Sequence, residues 1–223
     1  MIPRHHPEAA RLLDYAAGSA AEPVALLVAS HLTLCPICRR EVAALDALGG
    51  SLLEHAEPVP PAAGSFERLM DRIRREEPLA DEGEDERADR PAGPFAPMPR
   101  PVQRSLPGGL SGLSWTSLAG GRLRIADLLP PMDGLRTRLL HVRAGCGTLS
   151  HTHEGMEMSL VLSGGYSDEF GRYLRGDVES ADETVTHKPV ADPESDCLVL
   201  TLTEGDLRFV GLVGRLLDPF VKS

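Results

Sequence analysis

The chain is 223 residues long, enough for two compact domains or one domain with a long appendage, and its apolar content is ordinary for a globular protein. A formal charge of −10 excludes an independent grip on DNA, which needs clustered Lys and Arg against the phosphates, and fits a basic protein partner better. Of the four cysteines two stand in CxxC spacing and two are isolated, a pattern for metal in a reducing compartment. No apolar run reaches membrane-spanning length and no signal-peptide pattern opens the sequence, so a cytoplasmic protein is expected.

Pro7 suits the first position of a helix over Glu8 to Ala17, with Gly18 placed to end it. Pro23 opens a second helix whose Val24, Leu27, Val28 and His31 fall at i, i+3, i+4 and i+7, so His31 points toward the core. Pro36 breaks the run near Leu34 and starts a third helix. Its face carries Cys38, Val42 and Leu45, and its stop is expected at Gly49-Gly50.

His31, Cys35 and Cys38 place an imidazole and two thiolates at offsets of four and three. With His5 or His6 brought in by the entering segment they make a Cys2His2 set, which suits tetrahedral zinc. The plainer alternative is a buried thiol pair beside a core histidine. A fourth amphipathic helix follows, with Ser65 as a cap and Phe66, Leu69, Met70 and Ile73 at helical spacing. That stripe either closes a small bundle or offers an apolar face to another protein.

From Glu76 onward acidic residues crowd together, and Pro91, Pro94, Pro97, Pro99 and Pro101 follow at short intervals. The expected result is an extended tether between domains that move independently. Beyond it the pattern changes to short apolar stretches separated by turns: Leu123 to Leu129, Thr137 to Val142, Glu157 to Ser163, Tyr166 to Phe170, Asp177 to Ala181, Thr186 to Val190, Cys197 to Thr203 and Leu207 to Val213. Many short strands at near-regular spacing predict a sandwich or barrel.

Within this region Gly145, His151, His153, Glu157 and Gly164 form the most specific pattern of the sequence. Residues two apart on a strand face one side, so His151 and His153 aim at a single interior point. Glu157 returns from the next strand, and His187 on a later one completes the set. Three imidazoles and a carboxylate suit zinc, iron, manganese, nickel or copper. His55 and His141 have no comparable company. Cys146, Cys197, Met156 and Met158 are the oxidisable sulfur atoms of the region.

Gly145 to Gly164 resembles the first cupin motif and Gly171 to His187 the second, with Asp182 and Thr184 where proline and glycine usually stand and Ala191 in place of asparagine. His31, Cys35 and Cys38 resemble the His-x3-Cys-x2-Cys motif of zinc-binding anti-sigma domains. With the Arg4-His5-His6 start and the order zinc domain, linker, cupin, the chain is similar to the ChrR-type anti-sigma factors. The resemblance implies an α-then-β multi-domain architecture: a four-helix zinc anti-sigma domain over residues 1–77, an acidic, Pro-rich linker over 78–109, and an antiparallel β-barrel cupin over 110–223.

It also implies His6, His31, Cys35 and Cys38 as ligands of a zinc ion. For His151, His153, Glu157 and His187 it implies zinc, with iron, manganese or nickel as alternatives. The function implied is non-enzymatic: a cytoplasmic inhibitor that masks a group-IV extracytoplasmic-function sigma factor, with the cupin required for a response to singlet oxygen or organic peroxide. Neither direct DNA binding nor membrane attachment is expected. A metal-dependent cupin enzyme, a dioxygenase or an isomerase with a helical docking module, is the alternative from another class, and a passive small-ligand sensor is a third.

Overall fold

The computed structural model describes residues 2–75, 95–106 and 108–210. The acidic run from Glu76 to Asp89, Pro91, Pro94 and the far end of the strand expected to reach Val213 lie outside the described residues.

Four helices form the N-terminal half: α1 (Ala9–Ala16), α2 (Glu22–Leu34), α3 (Pro36–Glu54) and α4 (Ser65–Arg75). Gly18, at φ +69°, follows the end of α1, and Pro23 sits in the first turn of α2, where its missing N–H costs no hydrogen bond. The α2–α3 break falls on Cys35 as expected, because its extended backbone (φ −109°, ψ 105°) ends one helix and caps the next. The expected stop at Gly49-Gly50 is not observed; α3 runs through both glycines to Glu54. Neither glycine takes a positive φ, and about 1 kcal/mol per glycine weakens a helix without ending one that Ser51 to Glu54 continue. Ser65 is the first residue of α4, and its hydroxyl accepts a hydrogen bond from Arg68.

A fifth helix, α5 (Arg100–Arg104), lies within the stretch expected to be tether. Pro101 occupies its first turn, which tolerates proline, and Val102 is fully buried together with Met98 and Leu106.

The C-terminal half contains β1 (Thr116–Leu118), β2 (Leu123–Met132), β3 (Leu135–Val142), β4 (His151–His153), β5 (Glu157–Ser163), β6 (Gly165–Ser167), β7 (Arg172–Leu174), β8 (Val178–Ala181), β9 (Val190–Ala191), β10 (Cys197–Glu204) and β11 (Leu207–Phe209). Among the described residues all pairings are antiparallel, in a six-stranded sheet ordered β1-β2-β3-β10-β5-β8, a pair β11-β4 and a triplet β7-β6-β9. The long strand expected over Thr186 to Val190 is reduced to β9, and His187 precedes it in an isolated bridge to His151.

One apolar cluster runs through both halves, from Leu12, Leu27, Val28 and Val42 through Met98, Val102 and Leu106 to Leu139, Leu160, Leu198 and Leu200. Burying a side chain such as Leu27 contributes roughly 1.5–3 kcal/mol. The two modules expected to move independently are therefore packed on a shared core, with α2 against α5 and against β2, β3 and β10 of the sheet.

Candidate metal centres

The first centre forms where the entering segment crosses the α2–α3 junction. His6 Nδ1 stands 3.5 Å from Cys35 Sγ and 3.4 Å from Cys38 Sγ, and the Cys38 N–H donates to Cys35 Sγ at 3.5 Å. His31, in the last turn of α2, uses Nδ1–H to donate to the Gly176 carbonyl at 2.8 Å. Its Nε2 is buried and has no hydrogen-bond partner. A carbonyl only accepts, so Nδ1 carries the proton and Nε2 keeps a free lone pair aimed at the thiols. One donor atom from each of His6, His31, Cys35 and Cys38 lies within 4.8 Å of the others.

His5, the other candidate, turns the opposite way and packs its ring on Tyr173, with centroids 4.6 Å apart. Burial lowers His31 to about 4, which keeps it neutral, as a metal ligand must be, and burial beside Cys35 pushes the Cys38 thiol up. Nearby cationic charge reverses the second effect, since a coordinated thiol is deprotonated. Buried imidazole and thiol donors around one point fit a zinc-type ion.

The second centre is built on β4, β5 and the bridge at His187. The burial pattern of β4 turns His151 and His153 to one side, and β5 begins at the buried Glu157. Paired N–H···O bonds of 3.1 Å in both directions hold His187 against His151. The three imidazoles share one orientation. His151 Nδ1 bonds the Leu149 carbonyl at 2.8 Å, His153 Nδ1 the Asp182 carbonyl at 3.4 Å, and His187 Nδ1 the Asp168 carboxylate at 3.0 Å and Glu179 at 3.2 Å.

Each ring is thereby anchored on its outer nitrogen and presents Nε2 inward. His153 Nε2, His187 Nε2 and Glu157 Oε2 are buried without a properly formed hydrogen bond, although His153 and Glu157 make a close ion pair. The four donor atoms again fall within 4.8 Å of one another. Orphaned lone pairs on buried polar atoms are costly unless something satisfies them, and this donor set fits a divalent cation.

Sequence reasoning missed the shell behind His187. Tyr166 donates to Glu179 Oε2 at 2.5 Å, and both carboxylates face His187 Nδ1. Burial raises Glu179. Asp168 is held low against its own burial by hydrogen bonds from Glu179 and from the Phe170 and Gly171 backbone. The His187 imidazole, which burial alone would lower, is raised to about 9 by Glu179 and Asp168. The only sequence signal for Glu179 was its place inside the second motif, and Tyr166 and Asp168, which precede Gly171, carried none.

The departures at Asp182 and Thr184 build a turn of their own: Asp182 Oδ1 accepts from the Thr184 N–H at 2.8 Å and from its hydroxyl at 2.6 Å. The Asp182 carbonyl is the one that orients His153. Gly164, which closes the first motif, has φ +72°, and a Cβ there would lie 2.3 Å from the Asp196 carbonyl oxygen. Cys197 is buried and pushed up to about 12 by that burial, and Cys146 is half-buried. His141, set aside in the sequence, bonds Asp196 at 2.8 Å and meets the edge of Phe95.

A family model described as the ChrR cupin-like domain matches residues 110–205. The anti-sigma-E factor ChrR of Cereibacter sphaeroides is 39% identical over 222 residues, covering 100% of both chains. This chain belongs to the ChrR family of anti-sigma factors. The crystal structure of Rhodobacter sphaeroides SigE in complex with the anti-sigma ChrR is similar at 38% identity and a TM-score of 0.72, covering 90% of this chain and 99% of that one. The helical half followed by a cupin fold is therefore the architecture of a ChrR-family member. The family is regulatory, which removes the enzyme reading. Among the described residues of this ChrR-family chain no helix is long and apolar enough to cross a membrane.

Proposed function

We propose that the chain is a cytoplasmic anti-sigma factor. Residues 1–77 sequester an extracytoplasmic-function sigma factor, residues 78–109 join the modules, and residues 110–223 form a cupin that triggers release when singlet oxygen or an organic peroxide acts on it. His6, His31, Cys35 and Cys38 hold zinc and set the angle between α2 and α3. His151, His153, Glu157 and His187 hold a second ion, zinc or else iron, manganese or nickel, whose lability or oxidation chemistry supplies the response.

The reading rests on α4. Its stripe has the spacing of a core helix, yet none of its residues is buried, and Phe66, Leu69 and Ile73 are 70%, 47% and 54% exposed. Leu48, Leu52 and Leu53 near the end of α3 are also exposed. Two successive helices with uncovered apolar residues suit a partner that lays its own apolar surface on them. The formal charge of −10 complements a protein that is basic where it meets promoter DNA.

Mixing the purified chain with the sigma factor encoded in the same genome is expected to give a stable complex on size exclusion and to silence transcription by the reconstituted polymerase. A sigma factor that elutes free and remains active overturns the reading.

A further inference from the structure

Six consecutive residues, Gly176 to Ala181, touch the surroundings of both centres. At one end, the Gly176 carbonyl orients His31, and Asp177 Oδ1 accepts the backbone N–H groups of Arg4 at 2.6 Å and His5 at 3.0 Å. The Val178 N–H donates to the His5 carbonyl at 3.1 Å. His6 is the next residue, so the cupin fixes the backbone that delivers one donor of the sulfur-containing centre and the ring of another. At the other end, Glu179 holds His187, and Ala181 pairs in register with Glu157. Gly176 lies in the turn between β7 and β8 and Glu179 is the second residue of β8, so only Asp177 and Val178 separate them along the chain.

The connection is stiff. Gly176 N–H donates to the Val161 carbonyl on β5 at 2.8 Å, and Asp177 Oδ2 accepts from the Leu174 N–H at 2.8 Å. Asp177 is 2% exposed. Gly176 has φ +94°, and a Cβ there would stand 2.7 Å from Pro3 Cγ and 3.3 Å from Leu34 Cβ. Any shift of this turn is therefore felt by the entering segment and by the end of α2.

We propose that Gly176–Ala181 couples the two metal centres. Asp177 acts as the positioning residue of the sulfur-containing centre from the far module, and a change at His187 or Glu157 alters metal affinity at Cys35 and Cys38. The inference rests on the reading above that both clusters hold metal. Outer-shell partners of metal-bound histidines typically contribute 10- to 100-fold in affinity. Coupling between sites is reciprocal, so the sulfur-containing centre must alter affinity at the cupin by the same factor.

Cobalt(II) titration of the full chain tests this, because only a centre with thiolate ligands gives thiolate-to-cobalt charge-transfer absorption, whereas a His3Glu centre gives none. In a chelator competition His187→Ala is expected to weaken cobalt at the sulfur-containing centre about fivefold, and Asp177→Asn about tenfold. The double variant is expected to be no weaker than Asp177→Asn alone, since the connection is already cut. Glu179→Gln leaves the Asp177 contacts in place and is expected to move the same absorption titration at least threefold, which covers the case of an Asp177 variant that does not fold. Charge-transfer bands that titrate identically, within twofold, in the wild type, His187→Ala and Glu179→Gln overturn the coupling alone. No charge-transfer band in the wild type overturns the metal reading together with it.

Discussion

The Arg11 guanidinium, on α1, donates to the Met156 thioether at 3.1 Å, one residue before Glu157. Arg11 also lies 3.9 Å from Asp14 on its own helix, an exposed pair that contributes little. Arg11→Ala and Met156→Leu are each expected to destabilise the chain by less than about 1 kcal/mol in urea unfolding. The double variant is expected to be less destabilised than the sum of the two, by about 0.5 kcal/mol, because either substitution already removes the contact. Additive effects would show that the contact contributes nothing.

The exposed stripe of α4 separates folding from binding. Leu69→Glu and Phe66→Asp remove no buried contact, so thermal midpoints are expected to stay within the equivalent of about 0.5 kcal/mol. Sigma-factor affinity, measured by surface plasmon resonance, is expected to fall at least tenfold, because a charge is placed at the centre of an apolar docking face. Unchanged affinity would move the docking surface away from α4.

The residues of the two donor clusters were legible because their spacing is local. His31, Cys35 and Cys38 are related by one helix end and the break at Pro36, and His151 and His153 by the two-residue period of β4. What selects His6 over His5 is not local. Asp177, more than 170 residues away, grips the backbone of Arg4 and His5, and so decides which ring turns toward the thiols. Asp168 and Glu179 were invisible for the same reason, since an acidic residue in a turn or strand carries no sign that it faces a histidine. The helix within the Pro-rich stretch was hidden by composition. Pro101 stands where a helix tolerates proline, and Met98, Val102 and Leu106 anchor it on a surface that only the folded sheet and α2 supply.

Glu157→Ala and His187→Ala each remove one inward donor of the cupin centre while leaving α4 and the end of α3 untouched. Full-chain variants are expected to lose one metal equivalent by elemental analysis and still bind the sigma factor within about threefold of wild type. After exposure to singlet oxygen or an organic peroxide the wild-type complex is expected to dissociate on size exclusion, and the variant complexes to persist. Variants that no longer inhibit the sigma factor would show that the cupin supports binding as well as release.

His31 also sets a pH dependence in the chain stripped of metal. Burial holds its folded value at about 4 against an ordinary 6.5, so between these two values the unfolded chain binds a proton that the native chain does not. Stability therefore falls as pH falls through that window and is independent of this group above it. Between pH 7 and pH 5 the loss from His31 is about 2 kcal/mol, at 1.36 kcal/mol per unit. Urea unfolding of the wild type and His31→Gln at both pH values isolates the contribution. The Gln variant starts less stable, because its side chain does not reproduce the buried imidazole against Gly176, but its stability is expected to change less with pH by that amount. Equal slopes in the two proteins would mean that the native ring takes up its proton in the same range as the unfolded chain, so that burial does not hold it neutral between pH 5 and its ordinary value.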